Sequence, residues 1–309
     1  MKKIAFFSLL LCCCLPLFAQ KKCYFTLTAR QQNVLIGKND FTIGLYQYDT
    51  TANNSNLHVG WKNNIVWDIA ANENSLFISG LDGVQRSQDK GKTWKLVTDW
   101  KVAEALTLAV SPIRKQEIVT GTSQGIFKST DNGNTWQPKN YGLKTIGQHY
   151  INALLFQQDT LWAGTSDGLL VSYDAGETWQ QTVLQGREVH EIVANPFNSQ
   201  ILCCATEDTG IFLSQDGGQT WKQINEGLQS LTFYSIAFSQ INKTTLYAGG
   251  YQTGLYKSEN LGEKWEKLTN DLANKTIGSS GILAQNDIHF HTNNFKMLVI
   301  KYLICIISI

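Results

Sequence analysis

Trp67-Asp68, Arg187 and His190-Glu191 are the residues whose types and spacing could do chemistry. A Glu/Asp pair such as Asp68 and Glu191, set across a gap, could serve as acid and base at a glycosidic bond. A second set is acidic and sits in short turns. Asp82 closes Gly80-Leu81-Asp82, Asp167 closes Thr165-Ser166-Asp167, and Asp208 is central in Glu207-Asp208-Thr209. Carboxylates converging from such turns could hold a cation or a sugar, although Asp is also ordinary turn chemistry. Other reactions lack their parts. There is no Gly-rich phosphate loop before a helix, no Gly-x-Ser-x-Gly elbow and no His-rich metal spacing. His289 and His291 stand two apart and read as an incidental pair.

What positions these residues is a repeated octapeptide, Ser-x-Asp-x-Gly-x-Thr-Trp. It is clearest in Ser129 to Trp136 (STDNGNTW) and recurs as SQDKGKTW at Ser87, SYDAGETW at Ser172 and SQDGGQTW at Ser214. Ser258 to Trp265 (SENLGEKW) is a worn copy with Asn260 and Lys264 in place of Asp and Thr. The Asp can accept hydrogen bonds from the N–H groups of the turn that follows it. The Gly supplies a positive φ. Trp is a large apolar anchor with one N–H that needs an acceptor. The octapeptide is therefore a turn with a hydrophobic pin. Its structural residues are Asp89, Gly91 and Trp94; Asp131, Gly133 and Trp136; Asp174, Gly176 and Trp179; Asp216, Gly218 and Trp221; and Gly262 and Trp265.

The repeat tryptophans fall at 94, 136, 179, 221 and 265, and the glycines opening the preceding strand at 83, 125, 168, 210 and 254. A period near 42, with four short extended segments per unit, is the signature of propeller blades. One unit parses in full: Glu188 to Asn195 as the innermost strand, Gln200 to Thr206, Gly210 to Gln215, the turn, and Thr220 to Ile224 as the outer strand. In this register Trp67, Leu106, Asn152, His190 and Tyr234 share one inner-strand position. Asp68, Thr107, Ala153, Glu191 and Ser235 share the next.

The ends are less regular. Residues 1–20 read as a signal peptide, with Lys2-Lys3 ahead of an apolar run, Ile4 to Phe18, too short to span a bilayer. Cys12, Cys13 and Cys14 lack the small residue that a lipidation site wants before its Cys. Cys23, Cys203, Cys204 and Cys305 match neither a disulfide framework nor a zinc site. Residues 21–60 look like a degenerate first blade, with Val34 to Gly37 as a second strand and Gly44 to Tyr48 as a third. Residues 61–275 hold the five repeat-bearing blades. Residues 276–309 hold an incomplete last blade and an atypical apolar tail. That tail is either a final strand closing the ring or the product of a frameshifted or truncated coding sequence, and its composition favours the latter. Without Lys2 and Lys3 the chain has 24 basic against 25 acidic residues. Such a balance gives no reason to expect a nucleic acid or an anionic membrane as partner.

The octapeptides resemble the Asp-box, or bacterial neuraminidase repeat (BNR). The chain from Lys22 to about Ser280 is similar to Asp-box β-propellers, most of all to exported photosystem II stability and assembly factors and sortilin-like repeat proteins. The resemblance implies an all-β, six- or seven-bladed propeller of four-stranded blades, the last incomplete. It also implies that the boxes lie on the face opposite the ligand site. Sialidases of this kind need three Arg, a Tyr–Glu nucleophile, an Asp acid and a Phe/Tyr-Arg-Ile-Pro motif. This chain has four arginines, Arg30, Arg86, Arg114 and Arg187, none of them in such a motif, so sialidase chemistry is not expected. The expectation is an exported (periplasmic or extracellular) non-enzymatic scaffold that binds a protein or other ligand through its channel face. Its candidate binding residues are Trp67, Asp68, Asp82, Asn152, Asp167, Arg187, His190, Glu191, Asp208 and Tyr234. No catalytic residue, metal, cofactor or transmembrane span is expected. The competing expectation is a glycoside hydrolase or carbohydrate-binding propeller.

Overall fold

The computed structural model describes residues 22–27, 44–49, 54–60, 66–239, 242–250 and 254–268. The expected signal peptide, the Val34 to Gly37 strand and the stretch 276–309 lie outside them.

Five four-stranded antiparallel sheets follow one another along the chain. The first is β4 (Val66–Ala71), β5 (Leu76–Gly80), β6 (Gly83–Ser87) and β7 (Lys95–Leu96). The second is β8 (Ala105–Val110), β9 (Ile118–Thr122), β10 (Gly125–Ser129) and β11 (Gln137–Pro138). The third is β12 (Ile151–Gln157), β13 (Thr160–Thr165), β14 (Gly168–Ser172) and β15 (Gln180–Gln181). The fourth is β16 (Val189–Asn195), β17 (Asn198–Thr206), β18 (Gly210–Ser214) and β19 (Lys222–Gln223). The fifth is β20 (Phe233–Phe238), β21 (Leu246–Gly250), β22 (Gly254–Ser258) and β23 (Glu266–Lys267). Ahead of them β1 (Lys22–Leu27), β2 (Gly44–Asp49) and β3 (Asn54–Gly60) form a three-stranded sheet. The only helix among the described residues is one 3-10 turn, Gly147–His149.

Each sheet is a meander whose first strand packs beside the first strand of the next sheet, from β4 through β8, β12 and β16 to β20. The arrangement is that of propeller blades. The core lies between blades. One cluster joins Phe77 and Val84 to Leu108 and Ile118. The next joins Val119 and Ile126 to Ile151 and Leu170. A third joins Trp162 and Leu169 to Ile192 and Phe212. The last joins Cys203 and Leu213 to Ile236 and Tyr256. A strand sandwiched between neighbours on both faces must be apolar throughout. That is why β5, β9 and β18 are buried at every position, whereas each inner strand keeps some partly exposed positions.

The boxes sit between the third and outer strands. In the first, the Ser87 hydroxyl donates to Asp89 Oδ1 (2.8 Å) and accepts from the Gly91 N–H (2.8 Å). Thr93 donates its N–H to Asp89 Oδ1 (2.8 Å) and its hydroxyl to Oδ2 (2.6 Å). The other boxes repeat the pattern, as at Asp131 and Asp216. In three boxes the indole N–H finds an acceptor in the preceding blade, whereas Trp94 and Trp221 donate to the glycine carbonyl of their own box (3.1 Å each). Trp136 reaches the carbonyl of Val97 (2.9 Å), Trp179 that of Lys139 (2.9 Å) and Trp265 that of Ile224 (2.6 Å). The pin therefore joins blades at Trp136, Trp179 and Trp265 and closes its own turn at Trp94 and Trp221. At Gly218 the backbone comes so close to the Trp162 ring that a Cβ would lie 2.2 Å from it.

Two details differ from the sequence expectation. The outer strand is two residues, Lys222–Gln223, rather than Thr220 to Ile224, because Thr220 is bound into the turn by Asp216. Gly44–Asp49 is the middle strand of its sheet, paired with Lys22–Leu27 on one side and Asn54–Gly60 on the other.

Candidate functional site

The two ends of the blades differ. At one end the box turns donate N–H groups to the turns joining first and second strands: Asn132 to Gln116, Ala175 to Asp159, and Leu261 to Thr244. At the other end the turns joining second and third strands meet the blade-to-blade connections. Glu104 bonds Leu81, Ser166 bonds Tyr150, Glu207 bonds Glu188, and Gly210 bonds Leu231. The turn aspartates singled out from the sequence lie at this second end, opposite the boxes.

Every inner strand carries a β-bulge near this end. Register shifts fall between Val66 and Asp68, Ala105 and Thr107, Ile151 and Ala153, Val189 and Glu191, and Phe233 and Ser235. The extra residue in each is Trp67, Leu106, Asn152, His190 or Tyr234, the row that the sequence register aligned. A bulge breaks the pleat and re-aims one side chain. Here five bulges do so at one level of five adjacent strands.

The structure draws some of these residues together. The rings of His190 and Tyr234 are 4.5 Å apart between centroids, tilted by 51°. Asn152 Nδ2 donates to Glu188 Oε1 (3.4 Å), as does the Ser166 hydroxyl (3.1 Å). His190, 8 % exposed, stands between two carboxyl groups: Nε2 is 3.4 Å from Glu207 Oε2, and Nδ1 is 4.0 Å from Glu188 Oε1. Burial raises the Glu207 pKa. A hydrogen bond shared with Glu188 and the negative charges of Glu188 and Asp208 raise it further. Burial, then the charges of Glu104 and Glu188, likewise raises the Tyr150 pKa. Acidity is therefore concentrated here.

Other residues are engaged elsewhere. Asp68 Oδ2 accepts from the Thr107 hydroxyl (2.9 Å) and the Leu108 N–H (2.9 Å), which ties β4 to β8. Asp167 accepts from the Thr145 hydroxyl (2.6 Å), and Asp208 from the Thr232 hydroxyl (2.9 Å), each fastening its turn to the blade connection. Arg187 lies over the Phe212 ring, 5.4 Å from its centroid, and donates to the Gln185 carbonyl (3.3 Å). Asp82 is exposed, and Trp67 and Glu191 are half-buried. Sequence reasoning did not single out Glu188 and Glu207. The signal was present in the register, because Glu207 begins its turn where the other blades have Leu81, Ser123, Ser166 and Tyr251.

With fold and site described, the class follows: the chain is an all-β propeller protein built on BNR-type repeats. The family model of sortilin (Vps10; neurotensin receptor 3) matches residues 167–300. A GH74 enzyme of Niastella koreensis superposes with a TM-score of 0.66 at 18% identity, covering 84% of this chain and 47% of its own. This chain thus spans less than half of that enzyme's length. YCF48 of Cyanidioschyzon merolae superposes with a TM-score of 0.57 at 14% identity, covering 82% of this chain and 90% of its own. A YCF48 bound to D1 peptide gives 0.54 at 16% identity, covering 80% and 81%. At such identities the likeness is one of fold. No curated protein matches the sequence. Among the described residues no helix is long and apolar enough to cross a membrane.

Proposed function

We propose that the chain is an exported, non-enzymatic propeller scaffold that binds an extended peptide segment of a protein partner across the bulged end of its blades. One observation carries this reading. Leu81, Trp100, Ile146, Tyr150, Val183 and Leu231 are large apolar side chains left exposed on the turns and blade connections of that one end. Exposed apolar residues clustered around a few polar groups are the anatomy of a protein-binding surface. A YCF48 bound to D1 peptide offers a propeller of similar fold that holds a peptide. Export, to the periplasm or beyond the cell, rests on the leader-like residues 1–20.

The competing reading, a glycoside hydrolase, draws on Glu207, whose raised pKa suits a general acid. Its nearest carboxyl partner, Glu188, is in hydrogen-bond contact with it, however. Retaining enzymes hold the pair about 5–5.5 Å apart, so that a sugar carbon fits between. Asp68 is committed to the β4–β8 seam.

Panning the full chain against a random peptide library, then titrating enriched peptides by fluorescence polarisation, tests the proposal. Ile146→Asp together with Tyr150→Asp is expected to weaken binding by about tenfold or more. Ile113→Asp, on the box end, should leave it unchanged. Release of reducing sugar from β-glucans, lost in Glu207→Gln, would overturn the scaffold reading in favour of hydrolysis.

A further inference from the structure

We propose that Glu188, His190 and Glu207 form a binding site for one divalent first-row transition metal ion, with zinc as the reference ion. The three side chains each offer one ligand atom, and these atoms lie within 4.8 Å of one another. The separation of His190 Nε2 from Glu207 Oε2, 3.4 Å, matches the edge of a tetrahedral site whose ligands stand about 2.0–2.2 Å from the metal. Glu188 is the third residue of the group, its Oε1 4.0 Å from His190 Nδ1.

The electrostatics point the same way. Two carboxyl groups stand with ligand atoms within 4.8 Å of each other, and among the described residues neither forms an ion pair with a Lys or Arg. Arg187, adjacent in sequence, is turned onto Phe212. A divalent ion held between Glu188 and Glu207 would offset the repulsion of two neighbouring carboxylates.

The surroundings hold the ligands as a metal site requires. Ser166 and Asn152 donate to Glu188 Oε1, and the Tyr234 ring packs on His190. Such outer contacts fix ligand orientation. One imidazole with two carboxylates suits zinc, manganese or iron, while calcium prefers six to eight oxygen atoms. Three protein ligands leave at least one position open to water or to a group on a bound partner.

The fold does not need these residues. At the positions of Glu188, His190 and Glu207 the preceding blade carries Tyr150, Asn152 and Ser166, and the one before it Glu104, Leu106 and Ser123. The trio is a departure confined to one blade, superimposed on a bulge that all five inner strands share. The proposal does not depend on the peptide-binding reading and is measured separately from it.

Isothermal titration of the EDTA-treated full chain with zinc chloride tests the site, with cobalt(II) absorption as a second readout. The expected result is one zinc per chain and an intense four-coordinate cobalt band. Glu188→Gln, His190→Gln and Glu207→Gln should each lower zinc affinity by about tenfold or more and abolish the band, with circular dichroism unchanged. Zinc binding that survives all three substitutions overturns the proposal. So does the absence of stoichiometric binding, or binding lost in His289→Gln/His291→Gln instead. Peptide titrations on the same variants report on the scaffold reading alone, so either proposal can fail without the other.

Discussion

A single carboxylate can be followed from its hydrogen bonds to a pH dependence. Hydrogen bonds from the Thr93 hydroxyl and N–H, with help from Ser87, hold the Asp89 pKa down at about 2. Thr220 does the same for Asp216, also about 2. At Asp174 burial pushes upward, but bonds from Ser172 and Thr178 outweigh it and leave about 2 again. The ordinary value is 3.8. A group whose folded pKa is depressed stabilises the fold fully above its unfolded pKa. It loses that contribution as pH falls through the folded value. The melting temperature should therefore fall most steeply between about pH 4 and pH 2. In a variant carrying Asp89→Asn, Asp174→Asn and Asp216→Asn the fall in this window should flatten. The worn fifth box shows that the amide is sterically acceptable, since Asn260 Oδ1 accepts from the Ser258 hydroxyl (2.8 Å) and the Lys264 N–H (3.1 Å). Melts at several pH values between 7 and 2 make the measurement. An equally steep loss in the triple variant would place the acid sensitivity elsewhere.

The box as an element holds a feature that its glycine conceals. The glycine has positive φ, as its sequence suggests, but so does the residue before it: Lys90 (62°), Asn132 (60°), Ala175 (57°), Gly217 (72°) and Leu261 (56°). Two successive left-handed residues let several N–H groups converge on one Asp and one Ser. For a residue with a Cβ this conformation costs about 1–2 kcal/mol, and Asn tolerates it better than most. Lys90 is exposed, and the next box places Asn at the same site. Lys90→Asn is expected to raise unfolding stability by about 0.5–1 kcal/mol, read from the urea midpoint at unchanged m-value. Blade order, strand type and box turns were legible in the sequence because each depends on local chemistry repeated five times. The bulges were not, since a bulge is a mismatch between two strands and leaves no mark in either alone. Nor was the partner of the indole N–H at Trp136, Trp179 and Trp265, which lies about 40 residues away in the neighbouring blade. Similarly, the register placed His190 and Tyr234 at one level, but the pairing of Glu188 with Glu207 needed the geometry of the turn. Asp68, which read as chemical, also ties β4 to β8 through Thr107 and Leu108.

At the scale of the molecule, four of the hydrophobic clusters among the described residues join two successive blades, as those around Phe77 with Leu108 and around Trp162 with Ile192 show. Energetic coupling in such an array should run between nearest neighbours and fade beyond them. Trp162, on β13, meets Trp221 of the next blade edge to face, with ring centroids 6.3 Å apart, and donates its indole N–H to Gln157 Oε1 (2.9 Å). A double-mutant cycle between Trp162→Leu and Trp221→Leu should therefore return an interaction of about 0.5–1.5 kcal/mol. Phe77, fully buried on β5, packs in a different cluster that includes Trp136. A cycle between Phe77→Leu and Trp221→Leu should be additive to within about 0.3–0.5 kcal/mol. Urea unfolding of the four single and double variants in each cycle supplies the numbers. Strong coupling in the second cycle would mean that strain is transmitted across the whole set of blades, and the nearest-neighbour description would have to be abandoned. Strong coupling confined to the first would mean that a change in one blade is felt by its neighbour and stays local, as nearest-neighbour packing requires.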